Sequence, residues 1–170
     1  MANKTATNVD ILLAAISDTQ NTIRAYDFKA EILAALITLL IGFIAFFLGH
    51  DHHSAFKTTV ESLIIASAFG TLFQLALVLY PSRKPINSIL MGTYKPSGVF
   101  YLSPASIKST TVDEMIQSIG KTDWLSELTF ELVKISAIRE RKMKWFTRAL
   151  TMSFVMFVLV GIFCFATYIC

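Results

Sequence analysis

Basic and aromatic side chains cluster in the segment that carries all four prolines of the chain. Arginine and lysine can pair with an anionic phosphate, and a phenylalanine or tyrosine ring can stack on a flat heterocycle. The candidates for such a binding site are Arg83, Lys84, Tyr94, Lys95, Phe100 and Tyr101. The sequence contains no glycine-rich phosphate-binding loop, so a positively charged loop around a small aromatic core remains an alternative.

A second group of charged residues lies directly before an apolar block. Arg24, Asp27 and Glu31 are spaced by three and four residues, so a helix would place them on one face, with Lys29 nearby. Charges at the edge of a membrane are costly to bury and usually have partners. The cluster therefore indicates either a site that couples a ligand to the membrane or an ion pair that fixes the depth of a helix.

The sequence does not predict an enzyme. It shows no nucleophile beside a base, no paired carboxylates in an apolar frame and no phosphate loop. His50, His52 and His53 adjoin Asp51, but neighbouring side chains on so short a loop converge poorly on one ion. We expect no catalytic residue, no bound metal and no cofactor.

Three blocks of the chain lack Asp, Glu, Lys and Arg, at residues 32–50, 62–82 and 149–170. Each approaches the roughly 20 residues that a helix needs to cross a bilayer core of about 30 Å. Because no helix breaker separates the first and third blocks from the polar segments before them, both helices should extend beyond the membrane. The predicted fold is an all-α integral membrane protein with three transmembrane helices and a short irregular cytosolic insert.

The predicted organisation follows from these blocks and from the charges that flank them. Lysine and arginine concentrate before the first block and between the second and third, whereas the loop between the first two carries only Lys57. This bias predicts a multi-pass membrane protein with a cytoplasmic N-terminus and the bilayer as a partner. No nucleic-acid partner is expected. The predicted segments are a cytosolic amphipathic helix at 1–27, transmembrane helix 1 at 28–50, an external loop at 51–57, transmembrane helix 2 at 58–81, a cytosolic insert and helical stalk at 82–144, and transmembrane helix 3 at 145–170.

Small and polar residues recur at every fourth position of the second span. Ser62, Ala66, Gly70 and Gln74 would let helix backbones approach closely in lipid, which predicts helix packing and a homo-oligomer. Lining of a pore is the alternative for Gln74. Apolar residues also recur between Leu125 and Ile138, a pattern that suits a helical bundle or the recruitment of a partner.

An ordered set of short motifs resembles the transmembrane effector family of Pycsar, a pyrimidine cyclase system for antiphage resistance. Asp27, Lys29 and Ala30 match its Asp-x-Lys-Ala opening before the first span, and Pro81 closes the second span. An aromatic pair, Phe100-Tyr101, and the stretch Leu128 to Lys142 before the third span follow in the same order. The chain departs from the family after Phe100, where relatives have Phe-Gly-His.

The resemblance implies a function that the residues alone do not show. A pyrimidine nucleotide cyclase would make cyclic CMP or cyclic UMP during phage infection. The effector would bind that activating ligand through the basic and aromatic candidates, and would impair the inner membrane to give abortive infection. Asp27, Lys29 and Ala30 would couple binding to the membrane. A small oligomeric ion channel and a non-catalytic scaffold or sensor subunit are the alternatives.

Overall fold

Four helices form the part of the chain that the structure, a computed structural model, describes: residues 2–48, 55–80 and 112–169. Helix α1 spans Ala2–Leu48, α2 spans Ala55–Leu79, α3 spans Val112–Lys121 and α4 spans Trp124–Ile169. No strand occurs within these ranges. The all-α prediction is confirmed, as are the continuous helices predicted through the first and third apolar blocks. Most of the predicted external loop and the predicted irregular insert lie outside the described residues.

Three of these helices are long and apolar enough to cross a membrane. The apolar part of α2, Thr58–Leu79, contains 22 residues. At about 1.5 Å per residue this gives roughly 33 Å, close to the thickness of a bilayer core. Helices α1 and α4 contain 47 and 46 residues, so each is about twice as long as a span requires.

The chain divides into two compact units. One comprises residues 1–21 and 83–138 and is called the stalk unit here; the other comprises residues 22–82 and 139–170 and is called the span unit. Helices α1 and α4 contribute residues to both units, whereas α2 lies in the span unit and α3 in the stalk unit.

The core of the span unit consists of apolar and small side chains from three helices. On α1 the buried positions recur every seven residues, at Ala30, Ile37 and Ile44. This spacing suits a seam that follows a neighbouring helix over several turns. The buried residues of α2 and α4 in this core are Val60, Ile64, Ala68, Leu75, Val78, Phe146, Ala149, Met156 and Phe163.

Large apolar side chains also cover the outer surface of the span unit. Phe69 and Phe73 on α2 and Phe154 and Phe165 on α4 are all exposed. A monomeric protein in water rarely presents so many large apolar groups, because their hydration is unfavourable. The surface fits a hydrocarbon surrounding, and the protein is a membrane protein.

The stalk unit has a smaller buried set. Leu128 and Ile135 on α4 are buried, as are Ile16 and Thr19 on α1. Asp123 caps α4: its carboxylate accepts hydrogen bonds from the Leu125 backbone amide at 3.2 Å and from the Ser126 hydroxyl at 2.6 Å. The cap satisfies donors that the first turn of a helix leaves without partners, and it explains why α4 begins at Trp124.

Candidate functional site

An ion pair connects the two long helices at the beginning of the span unit. The Lys142 ammonium on α4 donates a hydrogen bond to the Asp27 carboxylate on α1. The Lys142 side chain is only 14% exposed and that of Asp27 is 32% exposed. An ion pair with this degree of burial holds its two helices in register, because separating the charges would leave the lysine poorly solvated.

Small side chains near the ion pair allow α1 and α4 to pack against each other. Ala30, one turn after Asp27, is fully buried, and so is Ala149 on α4. Alanine at both positions removes side-chain bulk between the helix backbones. The Tyr26 and Phe146 rings contact each other with centroids 5.7 Å apart and planes inclined at 60°, a favourable aromatic geometry. We call Tyr26, Asp27, Ala30, Lys142 and Phe146 the junction site.

The structure separates the charged residues that the sequence grouped on one face. Arg24, Lys29 and Glu31 are exposed, whereas Asp27 turns toward α4. Of the predicted coupling residues, Asp27 and Ala30 therefore lie in the junction site, and Lys29 lies on the outer surface of the same helix turn. Their role in coupling is not tested by these contacts and stays a prediction.

The sequence analysis did not pair Lys142 with Asp27, although α4 contains a signal for such a pairing. Leu128, Ile135, Ala149, Met156 and Phe163 are buried and fit one seven-residue repeat. Lys142 occupies the remaining position of that repeat. A lysine within an otherwise apolar repeat requires an anionic partner, so the pattern predicts a carboxylate on a facing helix.

The predicted packing stripe of α2 divides between two environments. Ser62 and Ala66 are exposed, and the Ser62 hydroxyl donates to the Thr58 carbonyl of its own helix. Gly70 is half-buried, and a Cβ atom there would lie 3.3 Å from Cε of Met152 on α4. Gly70 thus packs within the chain, while the contribution of Ser62 and Ala66 to packing between chains stays a prediction.

Gln74 continues this stripe inside the span unit. Its amide oxygen is buried and has no hydrogen-bond partner among the described residues. A buried carbonyl oxygen without a partner is costly, most of all where lipid replaces water. This atom is a polar feature of the span unit that packing within one chain does not explain.

A comparison with protein-family models decides the family. The model of the Pycsar effector protein domain matches residues 11–169, which include the junction site and most of the three apolar helices. The chain belongs to the Pycsar effector family. Membership makes it a membrane effector of antiphage defence that is linked to a cyclic nucleotide signalling system. No curated protein matches the chain, and no solved structure does.

The predicted ligand-binding residues of this Pycsar effector lie outside the described residues. Arg83, Lys84, Tyr94, Lys95, Phe100 and Tyr101 all belong to the segment between α2 and α3. Their assignment to a nucleotide site stays a prediction. The three histidines and Asp51 also lie outside the described residues, and within the described ranges no group of three His, Cys, Asp or Glu could hold a metal ion.

The stalk unit of the Pycsar effector contains a polar cluster that the sequence analysis did not single out. Glu127 is almost fully buried, and Glu131 follows one turn later with a side chain 17% exposed. Burial raises the pKa of Glu131, and the nearby Glu127 charge raises it further. The Lys134 ammonium lies 3.6 Å from Oε2 of Glu131, and burial lowers the pKa of Lys134. Burial thus disfavours the charged form of both side chains.

Proposed function

We propose that this Pycsar effector binds cyclic CMP or cyclic UMP from a partner pyrimidine cyclase and responds by impairing the bacterial inner membrane. Abortive infection follows, because the cell is lost before phage are released. The observation that carries the proposal is the family match over residues 11–169, which includes helices of both the stalk unit and the span unit. The effector acts through a change of conformation and not through catalysis.

Nucleotide binding is assigned to the segment between α2 and α3. Arginine and lysine side chains there supply cations for the cyclic phosphate, and Tyr94, Phe100 and Tyr101 supply rings for the pyrimidine. This assignment rests on residue chemistry. In the sequence the segment leads directly into α3, so the proposed ligand would act on the helices of the stalk unit.

Transmission to the membrane is assigned to the junction site. Helices α1 and α4 contribute to both units, and the Asp27–Lys142 ion pair ties them at the beginning of the span unit. A nucleotide can shift the balance between a sealed and a disruptive arrangement only if it binds the two with different affinity. The proposed difference between the two arrangements is a change in the registry of α1 and α4 at this ion pair.

Permeation is assigned to an assembly of several copies. The core of the span unit is filled by fully buried apolar side chains such as Ile37, Ile64 and Met156, which leaves the described part of one chain without a polar path. The exposed Ser62 and Ala66 offer a face on which a second copy can approach closely. The proposed orientation places the N-terminus in the cytoplasm, in keeping with the charge bias of the flanking segments.

Dye release from proteoliposomes tests the proposal directly. The full chain is reconstituted in vesicles that contain a self-quenched dye, and cyclic CMP, cyclic UMP or cyclic AMP is added in turn. Release with one cyclic pyrimidine nucleotide only is the expected result. Release without any nucleotide would favour an ion channel, and sealed vesicles under every condition would favour a scaffold or sensor.

A pair of variants tests where the nucleotide acts. Arg83→Gln with Lys84→Gln removes two candidate phosphate contacts, and Lys121→Gln with Arg139→Gln removes two cations that belong neither to the candidate binding site nor to the predicted coupling residues. The first pair should raise the nucleotide concentration needed for half-maximal release at least tenfold, about 1.4 kcal/mol of binding free energy. The second pair should leave that concentration within about twofold. Equal shifts would contradict the assignment of the binding site.

A further inference from the structure

A short stretch of α4 beside the junction site is unusually basic. Residues 139–148 contain five cations, Arg139, Arg141, Lys142, Lys144 and Arg148, and one acidic residue, Glu140. Lys142 is neutralised by Asp27. The facing part of α1 differs, because residues 22–31 contain two cations and two acidic residues and carry no net charge. The positive charge at this level of the span unit therefore comes from α4.

Three of these cations lie on one exposed face. Arg141, Lys144 and Arg148 are all exposed and follow one another at intervals of three and four residues. With about 3.6 residues per turn, these intervals keep the three side chains within an arc of roughly 60° and along about 10 Å of the axis. Phe146 and Ala149 mark the packed side of the same turns, so the three cations point away from the neighbouring helices.

The same face becomes apolar immediately after Arg148. Thr151 follows, and its hydroxyl is satisfied by the Thr147 carbonyl at 3.1 Å. Val155 and Ile162 continue the face at helical spacing and are 45% and 47% exposed. One continuous strip of α4 surface thus presents cations at one end and apolar side chains at the other. This arrangement is complementary to a phospholipid, in which an anionic phosphate lies above the acyl chains.

An aromatic neighbour fixes the level of this strip in the bilayer. The Arg148 guanidinium lies over the Trp145 ring, with Cζ 4.9 Å from the ring centroid. Tryptophan concentrates at the boundary between headgroups and hydrocarbon, and a guanidinium stacked on its ring keeps its N–H groups available to a phosphate at its edge. Trp145 and Arg148 therefore place the cationic end of the strip at headgroup level.

We propose that Arg141, Lys144 and Arg148 bind the phosphate of an anionic phospholipid whose acyl chains lie along Val155 and Ile162. The bound lipid is a structural ligand of α4, distinct from the cyclic nucleotide. Arg141, one of its proposed contacts, directly precedes Lys142, so the lipid would stabilise α4 at the depth where the Asp27–Lys142 ion pair forms. The proposal does not depend on the proposed function, because it concerns the resting protein in its membrane.

Quenching of Trp145 fluorescence by brominated lipid measures the binding. The full chain with Trp124→Phe, which leaves Trp145 as the remaining tryptophan, is reconstituted in phosphatidylcholine vesicles. Phosphatidylglycerol or phosphatidylcholine, brominated near the headgroup, is then added at increasing mole fraction. Phosphatidylglycerol should bind at least fivefold more strongly than phosphatidylcholine. Equal quenching by the two lipids would overturn the proposal without any variant being needed.

Matched variants test whether the preference for phosphatidylglycerol depends on this strip of α4 or only on the total positive charge of the protein. Lys144→Gln with Arg148→Gln should reduce the preference for phosphatidylglycerol to about twofold or less. Arg24→Gln with Lys29→Gln removes the same charge from exposed positions of α1 and should keep the preference. Equal losses in both pairs would overturn the proposal, and so would displacement of the bound lipid by millimolar inorganic phosphate, which would indicate a site for a soluble anion. Far-ultraviolet circular dichroism verifies that each variant retains its helices.

Discussion

The Lys142 ammonium pairs with the Asp27 carboxylate although 115 residues separate them in the sequence. The contact joins α1 to α4 where the stalk-unit parts of both helices end and their span-unit parts begin. Tyr26, Phe146 and Ala30 complete the packing around it. Because the ion pair joins two helices that each contribute residues to both units, it is the natural place to test coupling.

Neutralising Asp27 should destabilise the span unit. Asp27→Asn leaves the Lys142 ammonium largely buried beside a neutral group, and we expect a loss of about 1–3 kcal/mol, between the values for exposed and fully buried ion pairs. Chemical unfolding in detergent, followed by circular dichroism, measures it. The exposed Lys29→Gln should stay within about 0.5 kcal/mol of the unmodified chain.

A double-mutant cycle shows whether the effect belongs to the pair. Lys142→Met places an apolar side chain in the seven-residue repeat of α4 and removes the buried charge. Asp27→Asn combined with Lys142→Met should therefore recover most of the stability that Asp27→Asn alone loses. Strictly additive losses would mean that the two side chains do not stabilise each other.

Enlarging Ala30 should force α1 away from its neighbours. The residue is fully buried in the core of the span unit, so Ala30→Leu adds volume that the junction cannot absorb without moving a helix. We expect a loss of about 1–3 kcal/mol, typical of an overpacked core. Ala35→Leu makes the same change at an exposed position of α1 and is the control. The same detergent unfolding assay compares them, and similar losses at both positions would rule out close packing at Ala30.

Replacing Gln74 by leucine should stabilise a single chain. The substitution removes a buried amide oxygen that has no partner among the described residues, for a gain of about 1 kcal/mol. Thr71→Val serves as the contrast, since the Thr71 hydroxyl already donates to the Ser67 carbonyl at 2.8 Å. Gln74→Leu could instead destabilise the protein and reduce the number of copies that cross-linking detects in an assembly. That result would show that the Gln74 amide forms a hydrogen bond with another copy.

The stalk unit should lose stability as the pH rises above the ordinary range of a glutamate. Burial and the Glu127 charge raise the pKa of Glu131 above 4.5, so the folded state holds the proton more tightly than the unfolded state. The contribution of Glu131 to the free energy of unfolding is fully present below its ordinary pKa of 4.5. It is lost as the pH rises through the pKa of Glu131 in the folded state. Glu131→Gln should therefore raise the melting temperature at neutral pH and leave it nearly unchanged in acid.

Two other groups of the stalk unit have shifted pKa values, but they do not affect the comparison of Glu131→Gln between acid and neutral pH. The Ser126 hydroxyl lowers the pKa of Asp123 below 3.8, so stability from that group is lost only in stronger acid. Burial lowers the pKa of Lys134 from 10.5, and the effect of this group on stability is expected at alkaline pH. The exposed Glu140→Gln is the control, and a melting curve for Glu131→Gln that parallels the unmodified chain at every pH would contradict the prediction.

The sequence by itself determined the helices and their membrane character. Blocks without charge set the three spans, and the lack of breakers after Asn8 and after Asp123 determined that α1 and α4 continue beyond them. These features depend on residues that are close in the chain, through helix propensity and the cost of burying charge, so local pattern is sufficient to predict them. The motif at Asp27, Lys29 and Ala30 likewise led to the family that the comparison confirmed.

Only the tertiary structure decided which side of each helix is packed and which charges pair. The sequence favoured the α2 face of Ser62 and Ala66, yet the buried face within the chain carries Ala68 and Leu75. It grouped Asp27 with Arg24 and Glu31, yet Asp27 binds Lys142. A span that is apolar on all sides has no amphipathic pattern to reveal its packed face, and an ion pair between distant residues exists only after two helices have met in a particular register.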